Sequence, residues 1–141
     1  MAKLSLANML IGFAAIFLAA CAGTFLAFDA TEAFIHDKSI LSSWTFTLLS
    51  SAHAHTNLFG MIHILFGLTL PYAQISKKIQ ILQTYGLSAG TFAMSVLMFI
   101  RAFEQPFLGY DILGICMGIS LSAFLLSLGV HCYSLARKIM R

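Results

Sequence analysis

Histidine is the residue type in this chain with the most chemistry to offer. Five are present. Four of them, His53, His55, His63 and His131, fall within or at the edge of long apolar segments. Ionisable side chains at such depth are expensive and commonly functional. Three lie in one stretch, Ser51-Ala-His-Ala-His-Thr-Asn-Leu-Phe-Gly-Met-Ile-His63. A helical residue turns about 100° and rises about 1.5 Å. His53 and His55 are then about 200° apart and cannot share one ion. His53, Asn57, Gly60 and Gly67 share one face. His55, Phe59 and His63 share another, with His55 and His63 about 12 Å apart along the axis. Gly60 and Gly67 leave a groove that suits a flat macrocycle, and neutral imidazole is a common ligand for haem iron. On this reading His55 or His53 is the axial ligand and His63 the next candidate. His131, near the far end of the last segment, is a weaker one. Arg101 can pair with a haem propionate or sit at the interface against Glu104. Met94 and Met98 are further axial candidates.

A second constellation competes. Glu32 and His36 are spaced i, i+4, with Asp29 one turn earlier. If that stretch is helical, these residues with His53 and His55 form a carboxylate and imidazole set for zinc or another transition metal. Three protein ligands and a water would make it a hydrolytic centre. The plain alternative to both sites is a set of buried histidines bonded to Ser, Thr or backbone, in a module that binds lipid or a partner helix without catalysis.

The elements that position these residues are apolar. The chain is 60% hydrophobic and 9% charged over 141 residues, against about 25% charged in a soluble domain. That composition excludes a disordered chain, a nucleic-acid module and an ordinary cytosolic domain. Spanning a bilayer takes about 20 residues per helix. Four segments qualify by length: about Leu4 to Phe28, Ser51 to Tyr72, Ile79 to Ile100 and Tyr110 to Leu135. The connections are Asp29 to Ser50, Ala73 to Lys78 and Arg101 to Gly109. Pro71 and Pro106 fall at segment ends, where a helix can stop. The expectation is an all-α integral membrane protein, a four-helix up-down bundle forming a single domain over 1–141.

Charge sorts its two sides. One holds Lys3, Lys77, Lys78, Arg137, Lys138 and Arg141 and no acid. The other holds Asp29, Glu32, Asp37, Glu104 and Asp111, with Lys38 and Arg101. Basic residues stay cytoplasmic, so both termini are expected inside and the acidic loop outside. Leu18-Ala19-Ala20-Cys21 has the form of a lipoprotein processing box. The chain stays apolar through Phe28, so this segment is read as a retained helix. Cys21, Cys116 and Cys132 have no metal spacing and read as small packing residues.

Small residues repeat on helical faces: Ala15, Ala19 and Gly23; Gly86 and Gly90; Gly114, Gly118 and Ser122. Such stripes let helices approach closely in lipid, within one bundle or across a homodimer.

His55-Thr56-Asn57 resembles the second helix of haem-copper oxidase catalytic subunits, notably C-type oxidases and nitric oxide reductases. In those proteins the histidine of this motif binds low-spin haem b. Ala52-His53-Ala54 resembles the corresponding stretch of A-type oxidases, so the two registers nominate different histidines. More of the chain resembles short four-helix bacterial membrane proteins that carry His-x-His followed by Gly-Met, here His53, His55, Gly60 and Met61, and an arginine matching Arg101. The oxidases have many more helices and a later His-His pair, which this chain lacks. The resemblance thus implies b-type haem binding in a bacterial inner membrane, for electron transfer or diatomic gas binding, without oxygen reduction.

Overall fold

The computed structural model describes residues 2–36, 43–106, 109 and 111–140. Among these the chain is helical, with no strand. Helix α1 is Ala2–Ile35 and α2 is Trp44–Thr69, which tightens into a 3-10 turn, Leu70–Tyr72, at Pro71. Helix α3 (Lys77–Phe92) passes through a π-helical stretch, Ala93–Leu97, into α4 (Met98–Arg101), so 77–101 forms one rod. Helix α5 is Ile112–Ile139.

The helices outrun the apolar segments where polar residues follow. Helix α1 continues past Phe28 to Ile35, and α2 begins at Trp44 rather than near Ser51. Within the expected loop of residues 29–50, residues 29–35 and 44–50 are thus helical. Polarity ends an apolar run without ending a helix. Thr31 returns its hydroxyl to the Ala27 carbonyl at 2.8 Å, and Ser43 starts α2 by accepting from the Phe46 N–H at 3.2 Å. Asp37 and Lys38 lie outside the described residues.

Among the described residues, three rods are long and apolar enough to cross a membrane: Lys3–Ile35, Lys77–Arg101 and Ile112–Ile139. Four were expected. Helix α2, with 26 residues, has the length, but its histidines, Ser, Thr and Asn dilute its hydropathy. The three apolar rods turn large side chains outward, including Phe13, Phe17 and Phe25 of α1 and Ile119 and Leu126 of α5. In water this would be an aggregation surface; against lipid it is ordinary.

Helix α2 lies against α1 through small residues. A Cβ built at Gly60 would stand 2.9 Å from the Gly12 carbonyl oxygen, and one at Gly67 would stand 2.6 Å from that of Ser5. The groove expected beside Gly60 and Gly67 is therefore filled by the α1 backbone, a correction that follows from close helix approach at glycine. Gly86 and Gly90 make a similar seam with Ala123 and Phe124 of α5. The two pairs meet in a small core of Phe59, Phe66, Leu70, Leu87, Met94 and Phe124. Phe59 and Phe124 stack there at 4.0 Å between centroids and 16° between planes. The third stripe faces outward: nothing lies within 4 Å of a Cβ at Gly118.

Candidate functional site

The histidines of α2 diverge as the helical geometry requires. His53 faces α1, and its Nδ1 lies 2.8 Å from the Ala19 carbonyl oxygen. A carbonyl only accepts, so Nδ1 carries the hydrogen and Nε2 keeps its lone pair. The Asn57 amide nitrogen stands 3.3 Å from that Nε2, and equally 3.3 Å from the His53 carbonyl. Gly23 makes room for the ring: a Cβ there would lie 2.9 Å from Nδ1. His55 turns to the other face. Its Nδ1 lies 2.8 Å from the Ser51 carbonyl, and its ring stands edge-on to Phe59 at 6.0 Å.

His53 borders a cleft of about 670 Å³ between α1, the N-terminal half of α2 and the π-helical stretch. Its walls are mainly apolar: Ala15, Ala19 and Ala22 with Leu18 and Phe25 on one side, Ala52 and Thr56 on another, with Ser95 of the π turn and Phe99 completing it. A π-helical turn shifts the helix register, and Ser95 also returns its hydroxyl to the Thr91 carbonyl at 2.6 Å. His53 is the sole imidazole on the cleft wall among the described residues. The size and lining suit a small apolar ligand with one polar anchor.

The other expected site residues stand elsewhere. His63 is fully buried between α2 and α1, with Nδ1 3.1 Å from Asn8 Oδ1. His131 of α5 bonds Thr69 Oγ1 at 2.8 Å and packs on Phe66. Neither lines the cleft. Met94 belongs to the core and Met98 packs against it, also away from the cleft. Glu32 and His36 share the last turn of α1, where the His36 N–H bonds the Glu32 carbonyl at 3.1 Å. No three His, Cys, Asp or Glu side chains gather as a metal-ligand set among the described residues.

Arg101 is engaged by carboxylates. Its Nη1 bonds Glu104 Oε2 at 2.8 Å and also pairs with Asp111. Trp44 Nε1 donates to the Arg101 carbonyl at 3.4 Å, which ties the start of α2 to the end of α4. Asp111 caps α5 by accepting from the Gly114 N–H at 2.7 Å. That N–H is the largest influence on the Asp111 carboxyl; burial opposes it, and the hydrogen bond and charge of Arg101 add to it, so the carboxyl stays below its ordinary range. Asp29 also lines the cleft.

No protein-family model, curated protein or solved structure matches the chain.

The end of the bundle that carries Lys3 and Lys77 holds polar residues that sequence alone did not single out. Asn8 bridges α1 to α3 through Thr84 Oγ1 at 3.0 Å, and Gln83 Nε2 reaches the Ser127 carbonyl of α5 at 3.2 Å. The signal was present as helical spacing: Gln80, Gln83 and Leu87 share a face of α3, and Ser127, His131 and Ser134 share one of α5.

Proposed function

We propose that this protein is a membrane-embedded b-type haem protein in which His53 is the axial ligand. The observation that carries the reading is the pairing of His53 Nδ1 with the Ala19 carbonyl at the wall of an apolar cleft. A backbone acceptor on one ring nitrogen fixes the tautomer and leaves the lone pair on Nε2, from which the Asn57 amide, now at 3.3 Å, would have to turn to the His53 carbonyl for iron to bind. The residues fit an apolar macrocycle in three respects: Nε2 keeps its lone pair, the α1 wall is apolar up to Asp29 with alanines between Ile11 and Phe25, and the Asn57 amide retains the His53 carbonyl as its alternative acceptor. Bound haem would supply iron with an open coordination position. Facing it, the cleft offers Ser95, Val96 and Phe99 and no second imidazole or thioether among the described residues. That favours diatomic gas binding or sensing over electron transfer through a doubly ligated iron. Arg101 keeps a minor part in this account, because its charge is already met by Glu104 and Asp111.

The protein sits in a bacterial inner membrane in our reading, with α2 enclosed by the three apolar rods as a fourth span. The basic end, with Lys3, Lys77, Lys78, Arg137 and Lys138, is cytoplasmic. A second copy docks on the outward stripe Gly114, Gly118 and Ser122, where nothing among the described residues lies within 4 Å of a Cβ at Gly118.

A lipid chain in the same cleft is the second reading. It is favoured by Asp29 on the cleft wall, where propionates would want a cation. An outer-side metalloenzyme has less support, since its ligands are spread over α1 and two faces of α2. Haem content of protein purified in mild detergent, after expression with added haem precursor, separates these readings. Stoichiometric haem supports the first; colourless protein with co-purifying lipid supports the second.

A further inference from the structure

Six buried polar atoms have no hydrogen-bond partner among the described residues: Ser5 Oγ, His63 Nε2, Gln80 Oε1, Gln83 Oε1, His131 Nδ1 and Ser134 Oγ. Their residues are between 0% and 8% exposed. They come from all four rods and lie at the end of the bundle that carries the lysines. Along α3, Gln80 and Gln83 lie about 4.5 and 9 Å from Lys77. Buried polar groups left unmatched cost about 1–3 kcal/mol each, so a native layer of this kind calls for an explanation.

The neighbouring bonds settle which of these atoms accept. Asn8 Nδ2 donates to the Leu4 carbonyl at 2.9 Å and to Thr84 Oγ1 at 3.0 Å, which fixes its amide orientation. Asn8 Oδ1 therefore accepts from His63 Nδ1–H, and His63 Nε2, on a ring that also neighbours the Leu87 backbone, has no partner of hydrogen-bond geometry. The single hydroxyl hydrogen of Thr69 goes to the Leu65 carbonyl at 2.7 Å. Thr69 Oγ1 thus accepts from His131 Nε2–H, and His131 Nδ1 is bare in turn. Gln83 and Gln80 give their amide hydrogens to the Ser127 and Ile75 carbonyls at 3.2 and 3.5 Å, which leaves both Oε1 atoms bare. The layer therefore presents four acceptors and, to meet them, two serine hydroxyls with one hydrogen each.

A site short of donors takes a donor. We propose that this layer binds a small cluster of internal water molecules, which donate to His63 Nε2, His131 Nδ1, Gln80 Oε1 and Gln83 Oε1. A metal ion fits less well, because no ligand group of three gathers there. Buried waters occur at about one per 27 residues and make about three hydrogen bonds each, so a few waters are enough to satisfy the layer. The charged side chains at this end, Lys3, Lys77, Lys78, Arg137 and Lys138, are all basic, and Lys138 is turned onto the Tyr72 ring. The two imidazoles are then neutral acceptors facing water at membrane depth. This site is separate from the cleft and does not depend on haem.

Solid-state NMR of isotope-labelled full-length protein in lipid bilayers tests the proposal without any substitution. The expected result is the Nδ1–H tautomer for His63, the Nε2–H tautomer for His131, and a water cross-peak at the bare nitrogen of each. Opposite tautomers, bare nitrogens without water contact, or a stoichiometric metal shifting both rings would each overturn it. His63→Asn, whose amide can replace the Nδ1 donor to Asn8, and His131→Gln, whose amide can replace the Nε2 donor to Thr69, are expected to keep the helical fold. Each is expected to reduce the water contacts of the remaining histidine, and unchanged contacts in both would count against a shared cluster.

Discussion

The imidazole of His53 is anchored to the backbone of a different helix: its Nδ1 donates to the Ala19 carbonyl at 2.8 Å. Gly23, one turn further along α1, makes the approach possible, since a Cβ there would stand 2.9 Å from Nδ1 and 3.1 Å from Nε2. Gly23→Ala is expected to displace the ring from Ala19 and weaken haem retention while the helices persist. Comparing haem content and helical circular dichroism of the variant with the parent checks this.

The α1–α2 seam is tight for the same reason. Gly60→Ala would drive a methyl group against the Gly12 backbone, and overpacking of this kind costs about 1–3 kcal/mol. Gly118→Ala meets nothing within 4 Å and should be near neutral in the isolated protomer. Thermal unfolding of both variants in detergent should show a lower midpoint for the first alone.

Phe124 joins the two helix pairs by stacking on Phe59 and is 2% exposed. Truncating it to Ala should cost about 3–5 kcal/mol, as for other buried aromatics. Equilibrium unfolding in mixed micelles measures the loss; a change of under about 1 kcal/mol would mean that the pairs are held together elsewhere.

Acid should loosen the junction between α4 and α5. The Asp111 carboxyl titrates below its ordinary value because the Gly114 N–H, and then Arg101, favour its charged form. A group with a depressed folded value contributes stability above its unfolded value, about 3.9, and loses it as pH falls through the folded value. Cleavage of the 102–111 connection by an acid-active protease should therefore rise below about pH 4. Asp111→Asn keeps the cap and loses the ion pair, so it should remove most of the pH dependence; Asp111→Ala loses both and should be the least stable.

Cys132 lies on the same side of α5 as Gly114 and Gly118, by about 100° per residue, and is exposed. If that stripe seats a second copy in parallel, a variant retaining only Cys132 should cross-link under mild oxidation. One retaining only Cys116, about 160° away from Gly118, should not.

Much of the architecture was legible in the sequence because lipid-facing helices need length and apolarity, and both can be counted. The opposed directions of His53 and His55 followed from helical rotation alone. The groove at Gly60 and Gly67 did not survive, because a small-residue face reads the same whether ligand or helix fills it, and here Gly12 and Ser5 of α1 fill it. The real cleft forms higher up, where the alanines of α1 face the π turn, and a π turn has no clear signature in Ala93–Leu97. The buried polar layer was missed because Asn8, Gln80, Gln83 and Ser134 are scattered singly over three apolar segments, and only the packing of the rods brings them to one depth.

The central claim is that His53 ligates haem, and an absorption spectrum of the purified protein with each histidine replaced singly by Ala tests it most directly. The account predicts a Soret band that is lost in His53→Ala and kept in His55→Ala and His131→Ala. A band lost in His55→Ala and kept in His53→Ala, or no band at all in the haem-supplied parent, would contradict it.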